Sequence, residues 1–544
     1  MPRMPIFPRF SQIVASVVTI LLWATAAAQG QIDEGRAPGK SASDSPRYSV
    51  SGMVVNAVTA EPIARALVEL SGQQQFHTMT DSNGTFRFDG VAEGGATISA
   101  ERPGYFKQLG PGSDQQQSPA VLQLNSNLDG VQVRLVPQAV IAGRIVSMKG
   151  MPIEDFPVRV YRRNISEGRA RWQLAGSATS DDDGHYRVAT LPPGSYCLSA
   201  GPENWRPRTA KPLQKGYAEA FYPNTTDFAS ASVIAVTAGQ QVEADFSLMQ
   251  EPLYHVAGQV VGAPPNIYSS VLLTTATGEQ IPVVQVHPER HEFSAYVPAG
   301  RYILHATAQL ENQMLSAMLP VNVAANVEGL QIAVGPQPVV PVSVRIEGGD
   351  SVPPKDQVIP YATVGLISTA AGVNPPEYWA QRLSQDPHYM QILNLEPGTY
   401  AVEITSYGKY VVSATSGSID LLQNDLVFSS DGRIDPIEIV LGNDGGDISG
   451  TVRLPDGTGS ATVLLVPERR SPREIRTAVA QGSGEFTFDK TRPGEYALLA
   501  FSHADDLEFR NPDVLANYMS RATHISVAPR QETKANLELI EVGK

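Results

Sequence analysis

The acidic stretch DSNGTFRF (Asp81–Phe88) returns one hundred residues later as DDDGHYRV (Asp181–Val188). Oxygen side chains running up to a glycine could ligate calcium. A helix-loop-helix calcium loop needs oxygen ligands at alternate positions before the glycine and a bidentate Glu six residues after it. Counted from Gly84, the ligand positions fall on Met79, Asp81 and Asn83, and the Glu position on Gly90. Counted from Gly184 they fall on Thr179, Asp181 and Asp183, and the Glu position on Thr190. The ligand set fails in both. A β-hairpin turn accounts for more, because Asn-Gly and Asp-Gly accept positive φ and an Asp side chain can take up N–H groups inside the turn. GSGEFTF (Gly482–Phe488) keeps Gly484, Phe486 and Phe488 without any acid before the glycine. Asp81, Gly84, Asp181, Gly184 and Gly484 are therefore expected to build turns, with no metal and no cofactor.

Other reactive groups are sparse. The nine His are residues 77, 185, 255, 287, 291, 305, 388, 503 and 524, and none opens an H-x-x-E or H-E-x-x-H zinc motif. HPERHE (His287–Glu292) is the one dense cluster, and Pro288 argues against a helix that would put His287 and His291 on one face. It reads as a solvated loop at a hairpin tip. There is no G-x-S-x-G elbow, phosphate loop or dinucleotide fingerprint. The single Cys197 lies in the alternating run YCLSA and is expected to be buried. Paired acids such as Asp505–Asp506 sit in turns, and the basic run ERRSPREIR (Glu468–Arg476) reads as a solvated hairpin. No catalytic residue is assigned, and the chain is expected not to be an enzyme.

Binding chemistry rests on aromatics, since sugar rings stack on exposed Trp and Tyr. Past the leader the Trp residues are Trp172, Trp205 and Trp379. Trp205 lies in GPENWRPR, ahead of Tyr217, Phe221 and Tyr222 in GYAEAFYP. Tyr378 and Trp379 lie in PPEYWAQRLSQDP (Pro375–Pro387), where Pro and the apolar spacing predict a helix inserted between strands. These aromatics either pack insertions onto the scaffold or form a glycan or peptide groove. The candidate ligand residues are Trp172, Trp205, Tyr222, Tyr378 and Trp379.

These groups need a scaffold. The chain has 544 residues, too many for one core, with 46 Gly and 42 Pro. A basic start with Arg3 and Arg9, an apolar run from Ile13 to Ala28 and the small residues Ala26-x-Ala28 predict a secretory signal cleaved after Ala28. The run is shorter than the roughly 20 residues of a spanning helix. Loss of those two Arg takes the net charge from −14 to −16, which disfavours nucleic acid and anionic lipid as partners. With one Cys, no intrachain disulfide can form.

Internal repetition organises the rest. Thr80–Ala100 parallels Ser180–Ala200, including Asp81/Asp181, Gly84/Gly184, Arg87/Arg187 and Gly94/Gly194. A Pro-Gly-x-Tyr turn recurs as LPPGSY, LEPGTY and RPGEY, carrying Gly194, Gly398 and Gly494, with VPAGRY as a variant. Pro is expected to fix the first corner and Gly to supply positive φ at the second. Openings recur as SGMVV, AGRIV, AGQVV and SGTVR at Ser51, Ala142, Ala257 and Ser449, with VSVRI at Val342 in the remaining unit. Short alternating runs between them, such as ALVEL and ATVLLV, read as half-buried strands of β-sandwiches. NPDVLANYMSR (Asn511–Arg521) is a second helical signal, capped by Asn511 before Pro512. The fold class is all-β: about five small transthyretin-like or Ig-like sandwiches in tandem. The expected division is signal 1–28, flexible linker 29–47, and sandwiches at 48–137, 138–251, 252–337, 338–444 and 445–544.

Gly52–Val54, PIARALV (Pro62–Val68), TDSNGTF (Thr80–Phe86) and Gly104–Tyr105 together resemble the carboxypeptidase regulatory-like domain, a small transthyretin-like sandwich similar also to carbohydrate-binding-like and adhesin folds. The resemblance implies an accessory role, since such domains follow the catalytic domain of some zinc carboxypeptidases and precede some outer-membrane transporters. Related adhesin sandwiches can carry a Lys–Asn amide cross-link from a Lys on the first strand. The openings here hold no Lys, so none is expected. The reading is an exported, non-catalytic scaffold or binding array, periplasmic or at the cell surface. The alternatives are a carbohydrate-binding protein and an accessory subunit of a separate hydrolase or transporter. The expected partner is a glycan or an envelope protein.

Overall fold

A computed structural model describes residues 46–106, 120–201, 215–264, 267–275, 280–281, 285–287, 290–310, 313–336, 339–348, 362–369, 375–382, 389–429, 434–454, 460–468, 472–502, 504 and 507–542. Trp205, the expected signal segment and most of the expected linker lie outside them. The chain is all-β, built of many small sheets, and among the described residues it has one short α-helix, Pro512–Ala516, whose Asn511 cap accepts from the Asp513 N–H. A 3₁₀ turn, Met519–Arg521, completes the segment read as helical.

The first unit sets the pattern. The opening strand Arg47–Asn56 pairs antiparallel with Thr85–Ala92 and parallel with Leu128–Leu135. A second sheet orders Gln75–Met79, Leu67–Ser71, Gly94–Glu101 and Ala120–Leu124. Their apolar faces close on Val50, Val54, Val68, Leu70, Phe86, Phe88 and Ile98, all buried. Four further stretches repeat this strand order, each with its own buried cluster, and in the last the strands join into one seven-stranded sheet. An added cluster around Phe501, Phe509 and Leu515 packs beneath the short helix.

The acidic turn differs from expectation in one respect. Gln75–Met79 and Thr85–Ala92 lie in different sheets, so Asp81–Gly84 crosses from one sheet to the other and is not a hairpin. Asp181–Gly184 does the same between Arg169–Thr179 and His185–Leu191. The side chains behave as the sequence implies. Asp81 Oδ1 accepts from the N–H groups of Asn83 and Thr85 at 2.9 Å each. Asp181 Oδ1 accepts from Asp183 at 3.1 Å and from His185 at 2.7 Å. The Thr85 bonds hold the exposed Asp81 carboxyl below the usual range. Both turn glycines are left-handed, and a Cβ on Gly84 or Gly184 would meet the carbonyl of Val54 at 2.8 Å or of Ile145 at 2.5 Å. The turn therefore needs glycine because it lies against the opening strand.

That contact unites the sequence signatures. Each opening glycine faces, across one strand pair, the aromatic that follows the turn: Gly52 with Phe86, Gly143 with Tyr186, Gly258 with Phe293, Gly450 with Phe486. The turn carbonyl takes the N–H two residues past the glycine, from Val54, Ile145 and Val452 at 2.8 Å each. In the third unit His291 stands in the turn position with φ of 53° and accepts from Val260 at 2.9 Å. The expected solvated His cluster is thus corrected. His291 is buried against Ser269, its Nδ1 2.9 Å from the hydroxyl, because it substitutes for a turn glycine.

The Pro-Gly-x-Tyr signature also resolves. Gly398 is not left-handed, contrary to the turn geometry expected. Its bareness makes room for the ring two residues on: a Cβ there would stand 3.0 Å from the Tyr400 hydroxyl. Each Tyr hydroxyl donates to the carbonyl four residues back, Tyr302 to Pro298 at 3.0 Å, Tyr400 to Glu396 at 2.6 Å, Tyr496 to Arg492 at 2.8 Å, and Tyr196 to Pro192. Burial pushes the Tyr196 and Tyr400 hydroxyls up to about 12, so they remain donors at neutral pH. Tyr496→Phe removes one such bond while keeping the ring. It is expected to cost the last unit about 1 kcal/mol in urea unfolding, and an unchanged midpoint would show the bond to be idle.

Candidate functional site

The aromatic candidates divide by strand alternation. Glu377–Trp379 is a strand, not the expected helix, and pairs with Ala362–Ser368: Trp379 opposite Gly365 and Glu377 opposite Ile367. Successive side chains therefore point to opposite faces. Tyr378 turns inward, edge-on to Tyr400 with centroids 5.7 Å apart. Trp379 turns outward and is 40% exposed. Residues 383–387 of the expected helix lie outside the described residues.

Trp172 and Tyr222 belong to the second unit. Trp172 packs edge-on to Phe228 at 5.9 Å, and Phe228 edge-on to Phe221 at 5.4 Å. Tyr222 packs on Phe246 at 5.9 Å. They are half-buried packing residues and are not brought to the Trp379 face as one groove. Cys197 is buried as expected, and burial pushes its thiol up to about 11.

The outer face of the fourth unit's sheet collects chemistry the sequence did not display. The strand Gly398–Ser406 lies beyond Ala362–Ser368, with Glu403 opposite Gly365 and Thr405 opposite Thr363. Val364 and Leu366 fill the core, so Thr363, Gly365, Glu403 and Thr405 share the outer face with Glu377 and Trp379. Part of this face is covered by a hairpin from the second unit, Pro157–Ser166 and Arg169–Thr179. Its two-residue tip, Glu167-Gly168, has positive φ at both positions, the geometry of a type I′ turn. Arg169 pairs with Glu403 at 3.2 Å, and Arg171 pairs with Glu377.

The same tip meets the fifth unit. Arg163 pairs with Glu508, and the Phe509 ring lies where a Cβ on Gly168 would stand, 2.5 Å away. The Arg510 N–H donates to the Gly168 carbonyl at 3.1 Å and its Nε to the Glu167 carbonyl at 2.7 Å. Arg473, expected in a solvated hairpin, instead reaches the fourth unit: it donates to the carbonyls of Leu421 at 3.0 Å and Asn424 at 2.8 Å and pairs with Asp425. Residues 469–471 of that run lie outside the described residues. The junction joins units far apart in sequence, which one-dimensional periodicity cannot reveal.

Burial raises the Glu403 carboxyl first of all, and a hydrogen bond with the Glu167 carboxyl raises it further, against the lowering effect of Arg169. A carboxyl raised in the folded state binds protons that the unfolded chain has released, so its contribution falls as pH rises from the ordinary Glu range. Glu403→Gln is neutral throughout. Its melting temperature relative to wild type is therefore expected to climb between about pH 4.5 and pH 7. A difference flat across that window would show that Glu403 titrates normally.

Two further arrangements are structural. Thr274 Oγ1 lies 2.9 Å from His305 Nε2, and His305 Nδ1 lies 3.7 Å from Glu396, a line that ties the third unit to the fourth. Desolvation lowers the His305 pKa, which favours the neutral ring. An open groove on the third unit's sheet is lined by His255, Gln259, Glu292, Ser294 and Glu328, with His255 stacked on Tyr296 at 4.8 Å. Among the described residues no group of three or more His, Cys, Asp or Glu is placed to hold a metal ion.

The Thr-Asp turn supplies the last detail of the first unit. The Thr80 hydroxyl is buried, donating to the Ile63 carbonyl at 2.7 Å and accepting from the Ala66 N–H at 2.8 Å, so it fastens the P-I-x-x-A segment to the turn. Residues 49–119 match the carboxypeptidase regulatory-like domain. Ser180 repeats the bridge in the second unit, between the Ile153 carbonyl at 2.6 Å and the Phe156 N–H at 2.9 Å.

No curated protein matches the chain. Similar solved structures include the Bacillus anthracis TIE protein, 12% identical over 53% of this chain and 50% of that one, at a TM-score of 0.17. The chain thus spans about half the length of that protein. The minor pilin of Streptococcus agalactiae is 13% identical over 38% of this chain and 97% of that one, at 0.22. The major pilin subunit of Bacillus cereus is 10% identical over 73% of this chain and all of that one, at 0.15.

Proposed function

We propose that the protein is an exported, non-catalytic scaffold that holds β-sandwich units in a fixed frame for binding outside the cytoplasm. The junction of the second, fourth and fifth units carries this reading. Arg169, Arg171, Arg473 and Arg510 spend their charge on Glu403, Glu377, Asp425 and backbone carbonyls there. Chains meant to flex between modules leave such surfaces wet and separate, whereas half-buried pairs between units resist salt and fix geometry. The leader-like start supports a place outside the cytoplasm, and the acidic net charge of −14 suits an array that avoids nucleic acid. The carboxypeptidase regulatory-like match supports an accessory rather than a catalytic task.

Cell fractionation combined with small-angle scattering tests the proposal. The expected result is a non-cytoplasmic protein whose radius of gyration is the same in dilute and molar salt. Cytoplasmic retention, or expansion into a string of separate modules, would overturn it.

A further inference from the structure

We propose that the open part of the fourth unit's outer sheet face binds a neutral hexose chain, with Trp379 as the stacking surface. The inference rests on the binding-scaffold reading and names its ligand class. The indole rests over Gly365 of the neighbouring strand. A Cβ built on Gly365 would fall 2.8 to 3.1 Å from three of its ring carbons, so the bare glycine is the bed on which the ring rests. Part of the ring is thus packed on backbone, and the residue remains 40% exposed. A partly exposed ring backed by the neighbouring strand can offer its free side to the C–H face of a pyranose. It is held at little further cost in rotamer entropy.

The flanking groups are polar and closely spaced. Tyr407, 50% exposed, reaches back along the face to place its hydroxyl 3.1 Å from Thr363 Oγ1. Thr363 lies two residues from Gly365, about 7 Å along the strand, so the phenol and indole are within the reach of one short saccharide. Thr405 stands beside Thr363 on the adjacent strand. An apolar peptide covering this face would strip water from these hydroxyls without replacing their hydrogen bonds, which is costly. A sugar supplies donors and acceptors in the same plane as its apolar face.

The charge pattern selects neutral chains. Both acids on the face are already matched, Glu403 by Arg169 and Glu377 by Arg171, and the protein as a whole is acidic. A uronate chain would meet the repulsion of the acidic protein as a whole.

The test uses the purified full-length protein with cellohexaose, maltohexaose and laminarin as neutral probes and alginate as the charged control. Titration is followed by Trp fluorescence and calorimetry. Saturable binding of at least one neutral probe is expected, weakened about tenfold or more in Trp379→Ala, weakened less in Tyr407→Phe, and unchanged in Trp172→Phe. Scattering curves of the variants should superimpose on the wild type, so that lost binding is separable from a lost frame. Absence of binding to all three neutral probes, equal binding by Trp379→Ala, or tighter binding of alginate would each overturn the proposal, whether or not the scaffold reading survives.

Discussion

Gly143→Ala is expected to unfold the second sandwich while the others stand. The Cβ would sit 2.0 Å from the Ala244 carbonyl oxygen, 2.6 Å from its carbon and 3.0 Å from the Tyr186 ring. None of these is the free end of a flexible side chain. The Ala244 peptide is held by its own N–H, which donates to the Ala142 carbonyl at 2.8 Å. The Tyr186 ring is buried and its hydroxyl is tied to that same Ala244 carbonyl. Relief requires the parallel strand pair to part, and overpacking of this kind costs about 3 kcal/mol or more. Cys197 reports the result locally, because it is the only thiol and lies buried in this unit. Thiol-reagent labelling should become fast in Gly143→Ala. It should stay slow in Gly450→Ala, which places the same clash, 1.9 Å from the Ala535 carbonyl, in the fifth unit. Equal labelling in both variants would mean that the units do not fold separately. Slow labelling in Gly143→Ala would mean that the glycine is replaceable.

Much of this was legible in the sequence because repetition exposes geometry. Gly52, Gly143, Gly258 and Gly450 recur at the openings, and the aromatics Phe86, Tyr186, Phe293 and Phe486 recur after the turns. What the sequence could not show is that these two series face each other across one strand pair. Pairing partners separated by 34 to 43 residues leave no local periodicity. The same blindness produced the hairpin expectation at Asp81. A tight Asx turn looks identical in sequence whether the strands it joins pair with each other or with strands in opposite sheets. The helix expected over Pro375–Pro387 failed for a related reason. Tyr-Trp at its start fits a helical face, but Tyr378 and Trp379 fit better on a two-sided strand, one filling the core and the other resting on Gly365. Among the candidate ligand residues that the structure describes, only Trp379 is exposed. The residues that frame it, Gly365, Thr363, Glu403 and Tyr407, carry no signature of their own. They could be found only once three strands had been laid side by side.

Arg510→Ala is expected to open the junction without unfolding any unit. The guanidinium bridges three carbonyls: Glu167 at 2.7 Å in the second unit, and Arg473 at 2.9 Å and Ile475 at 3.2 Å in its own. Burial pulls its pKa down, yet an Arg stays charged at any physiological pH. Removing it leaves these carbonyls short of a donor in a place water reaches poorly, at about 1–3 kcal/mol for each buried group left unpaired. It also frees the Arg473 segment, which grips Leu421, Asn424 and Asp425 of the fourth unit. The hairpin tip Glu167-Gly168 should then become a protease site and the radius of gyration should grow. Cys197 should stay protected, because the second core is untouched. Arg510→Lys should fall between the two, since a single ammonium cannot span three diverging carbonyls. A scattering curve and protease pattern identical to wild type in Arg510→Ala would show that the frame is held elsewhere. If the tip is cleaved and Cys197 is exposed together, then the junction and the second sandwich form one cooperative unit, and the fixed frame is a property of the fold rather than of the contacts between folds.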